Sequence, residues 1–201
     1  MKDKQQGRRQ EILSATAKLY ETIPYRDINL KAISQVTSIS RPSIYNYFKT
    51  KEEIFLTLLE EEYRCWAQEL LTLAKEPELS KEGLAQNLAQ SLADRPLMVK
   101  LIANNMADFE DNSRDKRIIS FKAAYGQTLL AMDQALSQVL PDWSESRRED
   151  FIYSFFPYLF GLYPYTQATA KQKMAVEKAG VPFKPHSVYN LIYHLVRALV
   201  K

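Results

Sequence analysis

The stretch from Asn29 to Lys51 constrains this chain most, because it spells two short helices with only Thr37-Ser38-Ile39 between them. The first is opened by Asn29, whose side chain can accept from free backbone N–H groups, and Leu30, Ile33 and Val36 recur at a spacing that gives one buried stripe. Ile39 is placed to fill the corner of the turn. The second helix opens at Ser40-Arg41-Pro42; serine can cap, and the first turn tolerates proline because its missing N–H would be unpaired there. Either Ser40 or Arg41 can be the formal cap, since a residue before proline leans away from the α region. At about 100° per residue, Ile44 and Phe48 share one face and Pro42 and Asn46 the opposite one, with Ser43, Tyr45 and Tyr47 on the flanks. Helices this short do not stand alone in water. They must be held by neighbours, which leaves their outward residues free to touch something else.

The neighbours are helical as well. Only five glycines occur, and Leu, Ala, Lys, Glu and Gln are abundant, a composition that favours helix throughout. Residues 1–7 read as a mobile arm, followed by a first helix with Ile12, Ala15, Leu19 and Tyr20, flanked by Leu13, ending near Ile23-Pro24. Thr50 to Glu53 has the form of a capping box and starts a long helix through Ile54, Phe55, Leu58, Leu59, Trp66, Leu70 and Leu73, ending before Pro77. Five further segments follow: Ser80 to Ala93; Asp94 to Phe109, up to the break at Asp111-Asn112-Ser113; Arg114 to Leu140; Ser146 to Ala179; and a last one after Gly180 and Pro182. The fourth packs aromatics on several faces and contains Pro157, Gly161 and Pro164, each able to bend or interrupt it, so it is expected to be covered on several sides. The predicted fold class is all-α, with a three-helix helix-turn-helix domain over residues 1–50 and a helical bundle domain over 51–201.

Charge divides along the same line. Residues 1–51 carry a formal +6 and the remainder −3, within an overall +3. A basic N-terminal unit fits a nucleic-acid face, because neutralised phosphates supply most nonspecific affinity. A merely solvated surface would produce the same imbalance.

The run Ile33-Ser34, Thr37-Ser38-Ile39-Ser40, Ser43-Ile44-Tyr45, Tyr47-Phe48, Lys51-Glu52 and Ile54-Phe55 resembles, in type and without a gap, the DNA-binding region of TetR-family transcriptional regulators. Ser38 stands where that family usually has a turn glycine, and Pro42 where a small residue is common. The resemblance implies double-stranded DNA as partner, with Tyr47 and Lys51 at positions that typically touch phosphates, Tyr45 placed to pack or to reach the backbone, and Ser40 able to cap and also donate to phosphate. Arg41, Ser43 and Asn46 are the candidates for base edges, as arginine suits guanine and asparagine adenine in the major groove. It also implies a homodimer through the last two helices, a palindromic operator, and an unknown small-molecule effector in the C-terminal domain, most often releasing a repressor from DNA. The long helix after Thr50 is then the transmission arm. Trp66, Asn105, Tyr125 and Tyr158 are candidate effector contacts, since they put polar tips or large ring faces among apolar helices. Ordinary core packing is the competing role for each.

Other chemistry finds little support. His186, His194 and the single Cys65 have no metal-ligand spacing, and no phosphate loop, nucleophile elbow or H-E-x-x-H occurs, so no catalytic residue, metal or cofactor is expected. One cysteine, no stretch of about 20 apolar residues and no apolar leader point to the cytoplasm, without a membrane. Two alternatives remain: a helical interaction protein whose helix-turn-helix no longer binds DNA, and a helical enzyme.

Overall fold

A computed structural model describes residues 2–103, 106–182 and 184–201, with side chains from residue 4 onward. Among the described residues the chain is helical without strands, as expected from its composition: α1 Lys2–Thr22, α2 Leu30–Gln35, α3 Arg41–Ile44, α4 Lys51–Leu73, α5 Lys81–Ala93, α6 Pro96–Ala103, α7 Met106–Asp111, α8 Asp115–Val139, α9 Glu145–Thr166, α10 Ala170–Lys178 and α11 Val188–Leu199. None of these helices is long and apolar enough to cross a membrane.

The chain divides into two compact units. One is Met1–Arg64 with Asn105–Gly126, the other Cys65–Asn104 with Gln127–Lys201. In the first, α1 packs on α2 and α2 on α3 around Ile12, Leu13, Tyr20, Ile28, Ile33 and Ile39, all buried. Helix α1 starts at Lys2, so of the predicted arm over residues 1–7 the described residues, 2–7, are instead the first turns of a longer helix. Val36 is 55% exposed, contrary to the predicted stripe. The reason is local: α2 stops at Gln35, and Val36 is its C-cap with φ −113° and ψ 13°, so the helical periodicity no longer applies to it.

In the second unit α11 packs on α5 and α9, and α6 on α9. Serines cap three of these helices, with Ser80, Ser144 and Ser187 accepting from the N–H groups of Gly83, Arg147 and Asn190. The predicted continuous helix from Ser146 to Ala179 is two helices. Gln167-Ala168-Thr169 separates them, and Thr169 with Gln172 forms a capping box that starts α10. Pro157 and Pro164 lie inside α9 without ending it. Both fall on its exposed face with Tyr153, Phe160 and Gly161, while Phe151, Ile152, Phe155, Phe156, Leu159 and Leu162 are buried. The helix is therefore covered on one side within the chain, and Tyr153 (71% exposed) and Phe160 (46%) face outward.

Candidate nucleic-acid interface

Helix α3 is one turn long and continues as overlapping turns, in which the N–H of Asn46 donates to Ser43, and those of Tyr47 and Phe48 to Ile44. Two fully buried side chains, Ile44 and Phe48, fix it to the unit. Burying two such residues stabilises by about 1.5–3 kcal/mol each, which a single turn needs because its own hydrogen bonds do not carry it. The remaining side chains point away from the core: Arg41, Pro42, Tyr45 and Asn46 are exposed, Ser43 and Tyr47 half-buried.

Ser40 is the N-cap by position, yet its hydroxyl makes no cap bond; it meets the Ser43 hydroxyl at 2.9 Å. Tyr45 is exposed at 37%, so its ring lies at the surface, not in the core. The structure thus brings Ser40, Arg41, Ser43, Tyr45, Asn46 and Tyr47 onto one short surface segment. Lys51 lies beside it with an internal role as well, its ammonium donating to the Tyr25 carbonyl at 3.0 Å and sitting 4.0 Å over the Tyr25 ring. That anchoring leaves two of its three donors.

The turn before α3 is held by a residue that sequence reasoning passed over. Glu11 of α1 accepts from the Ser38 N–H at 2.5 Å and from its hydroxyl at 3.0 Å. The serine that replaces the usual turn glycine is therefore tied to α1 by a carboxylate. Asn29 caps α2 as predicted, accepting from the N–H groups of Lys31 and Ala32.

Behind α3 the chain closes with a second group of unanticipated residues. Glu53, fully buried, accepts from the Lys49 N–H at 2.8 Å and from Arg114 through Nε and, at 2.7 Å, Nη2. Burial alone would raise the Glu53 carboxyl, but hydrogen bonds from Arg114 and from the Lys49 and Arg114 N–H groups outweigh it and hold the group below the usual carboxylate range. Arg117 donates to the Tyr47 carbonyl at 3.3 Å and lies 5.3 Å over the Phe48 ring. Arg9 pairs with Glu61 at 2.9 Å, and Arg8 is exposed. One signal could have exposed this group: Arg114, Lys116 and Arg117 crowd the N-terminal end of α8, where the helix dipole disfavours cations, so they require outside partners.

Two concavities flank α3. One, of about 440 Å³, is lined by Asn29, Lys31, Arg41 and Lys51 among others. The other, of about 420 Å³, is lined by Asn46 and Tyr47 together with Arg9, Arg114, Lys116 and Arg117. Cations outnumber carboxylates in both, three against Glu52 in the first and four against none in the second, which suits a polyanion.

The described effector candidates belong to different units. Trp66 is fully buried, donates from Nε1 to the Ser91 hydroxyl at 3.1 Å and packs on Phe155 and Phe156. Tyr125 belongs to the first unit, against Tyr63 and Phe121. Tyr158 is half-buried, and burial raises its hydroxyl pKa. Asn105 lies outside the described residues.

Comparison with known proteins agrees with this geometry. Residues 12–58 match the family described as "Bacterial regulatory proteins, tetR family", and residues 60–185 the family described as "Tetracyclin repressor-like, C-terminal domain". Over 66 residues the chain is 38% identical to the HTH-type transcriptional regulator EthR of Mycobacterium tuberculosis, a match that spans 33% of this chain and only 31% of that relative. Two solved structures share the fold. The fatty acid degradation regulator FadR from Bacillus halodurans has a TM-score of 0.62 at 13% identity, covering 95% of this chain and 93% of that one. A TetR/AcrR-family regulator from Thermobifida fusca has 0.60 at 15%, covering 97% of each. With both of its parts matched and the outward face of α3 in place, the chain belongs to the TetR family of DNA-binding transcriptional regulators.

Proposed function

We propose that this regulator is a repressor that binds a near-palindromic operator as a homodimer and leaves it when a small molecule binds. The observation that carries the reading is the outward set on α3: Arg41, Tyr45 and Asn46 exposed above a buried Ile44–Phe48 anchor. In this reading Arg41, Ser43 and Asn46 meet base edges, while Ser40, Tyr45, Tyr47 and Lys51 meet phosphates and set the register. Residues 1–50 read DNA, and residues 51–201 provide sensing and dimerisation.

Self-association is supported by α9, whose outward Tyr153 and Phe160 form an apolar face with nothing over it among the described residues, and α11 joins α9 in this role. Two recognition helices on one two-fold axis suit half-sites about 34 Å apart. Effector release requires a ligand with different affinity for the two conformations. Trp66 and Tyr158 are the proposed contacts in the second unit. Tyr125 is kept as a further candidate on its own terms, since it lies in the first unit.

Selection of bound duplexes from a random pool, run with wild type and with Arg41→Ala plus Asn46→Ala, tests the reading. Both side chains are exposed, so the variant keeps the fold. Enrichment of an inverted repeat by wild type, blurred in the variant, is the expected result. A folded protein that enriches nothing would overturn it.

A further inference from the structure

The concavity at the far end of α3 has more positive charge than its own carboxylates answer. Of its four cations, Arg114 is taken by Glu53 and Arg9 by Glu61. Lys116 is exposed and has no hydrogen-bond or ion-pair partner among the described residues. Arg117 is half-buried; among the described residues its one hydrogen bond goes to the neutral Tyr47 carbonyl, and its Nε is buried with no partner. Desolvation, then the nearby charge of Arg9, disfavours the Arg117 cation, and the attractions of Glu53 and Glu60 do not cancel them. A guanidinium so placed is costly unless an anion approaches it. The remaining lining, Gln5 and Gln6 from α1 with Asn46 and Tyr47, is made of residues whose side chains carry neutral donors.

We infer that this concavity is a phosphate-binding site in which Lys116 and Arg117, more than sixty residues after the helix-turn-helix, hold a phosphate group against Asn46 and Tyr47. Forked donation by guanidinium and the mobile point charge of lysine match a tetrahedral oxyanion, and no carboxylate lines the space to compete. The phosphate can come from the backbone of bound DNA, because Asn46 and Tyr47 lie on α3, or from a free phosphorylated ligand. The first source rests on the DNA-binding reading above; the second does not.

The test has two arms, each using the full chain with Lys116→Ala, Lys116→Glu, Arg117→Lys and a control reversal, Lys173→Glu, at an exposed position of α10. In the first arm, duplex affinity is measured against salt. Lys116→Ala should lower affinity about three- to tenfold near 0.1 M salt and reduce the log–log salt slope by about one. Lys116→Glu should do more, Arg117→Lys should lower affinity despite keeping its charge, and Lys173→Glu should do neither. In the second arm, the melting temperature is followed in inorganic phosphate against chloride at matched ionic strength. A phosphate-specific rise lost in Lys116→Glu supports the site even if duplex binding is unaffected or absent, and assigns it to a free ligand. Duplex affinity unchanged by the Lys116 variants, or lowered equally by Lys173→Glu, together with no phosphate-specific rise, would overturn the inference.

Discussion

Glu53 and Arg114 stand 61 residues apart and meet through two guanidinium–carboxylate hydrogen bonds, with the carboxylate fully buried at the start of α4. The same carboxylate holds the Lys49 N–H at 2.8 Å, so one side chain ties the end of the recognition segment, the start of α4 and the start of α8. Thr50 completes the junction, accepting from the Glu53 N–H and donating to the Asn112 carbonyl.

Removing the arginine should therefore cost more than a surface pair would. Arg114→Ala leaves a buried carboxylate with only the backbone N–H groups of residues 49 and 114 for partners, and the expected loss is roughly 2–3 kcal/mol, reduced from that of a wholly buried pair because the arginine is partly exposed. Urea unfolding of wild type and variant measures it. A loss below about 0.5 kcal/mol, the range of ordinary surface changes, would contradict this account.

The pair also sets a pH dependence. The Glu53 carboxyl is held below its ordinary value of 4.5, so its contribution is complete above the pH at which the unfolded chain binds the proton and fades as pH falls through the lower folded value. Glu53→Gln lacks that contribution at every pH. The stability gap between wild type and Glu53→Gln should be widest at neutral pH and should close on acidification. Unfolding curves taken at stepped pH values would refute this by showing a gap that widens toward acid.

Anchor and reader residues of α3 should separate cleanly. Phe48→Ala empties a fully buried site and should cost about 3–5 kcal/mol, with DNA binding lost alongside because α3 loses its seat. Asn46→Ala, at an exposed position, should leave stability within about 0.5 kcal/mol and relax base preference at one operator position by about 1–3 kcal/mol. Thermal melts paired with titrations of single-base operator variants decide between these outcomes.

Dimerisation through α9 predicts a different kind of loss. Phe160→Glu places a charge on an exposed apolar face without touching the core, so the folded chain should shift from dimer to monomer in sedimentation equilibrium at micromolar concentration. A wild-type monomer under those conditions would remove the basis for the two-fold operator.

Local chemistry made much of this fold legible. Asn29 and Ser80 announce their helices, Ile39 fills its corner, and Ile44 and Phe48 share a face, because each depends on residues within one or two turns. Val36 escaped because its helix ends one residue earlier, and the break before α10 because the Thr169–Gln172 box lay inside an otherwise periodic run. The partners of Ser38, Glu53 and Tyr47 were out of reach for a stronger reason. Glu11, Arg114 and Arg117 are neighbours only after the chain has folded back, and no periodicity encodes a pairing across 61 or 70 residues.

That distant pairing bears on portability. A fragment or chimera carrying only the amino-terminal helices would bring the Glu53 carboxylate along without the arginine that satisfies it, and the Tyr47 carbonyl without its donor. The reading head of this regulator is thus not a detachable cassette: grafting it onto a foreign body requires transplanting the turn around Arg114 to Arg117 as well.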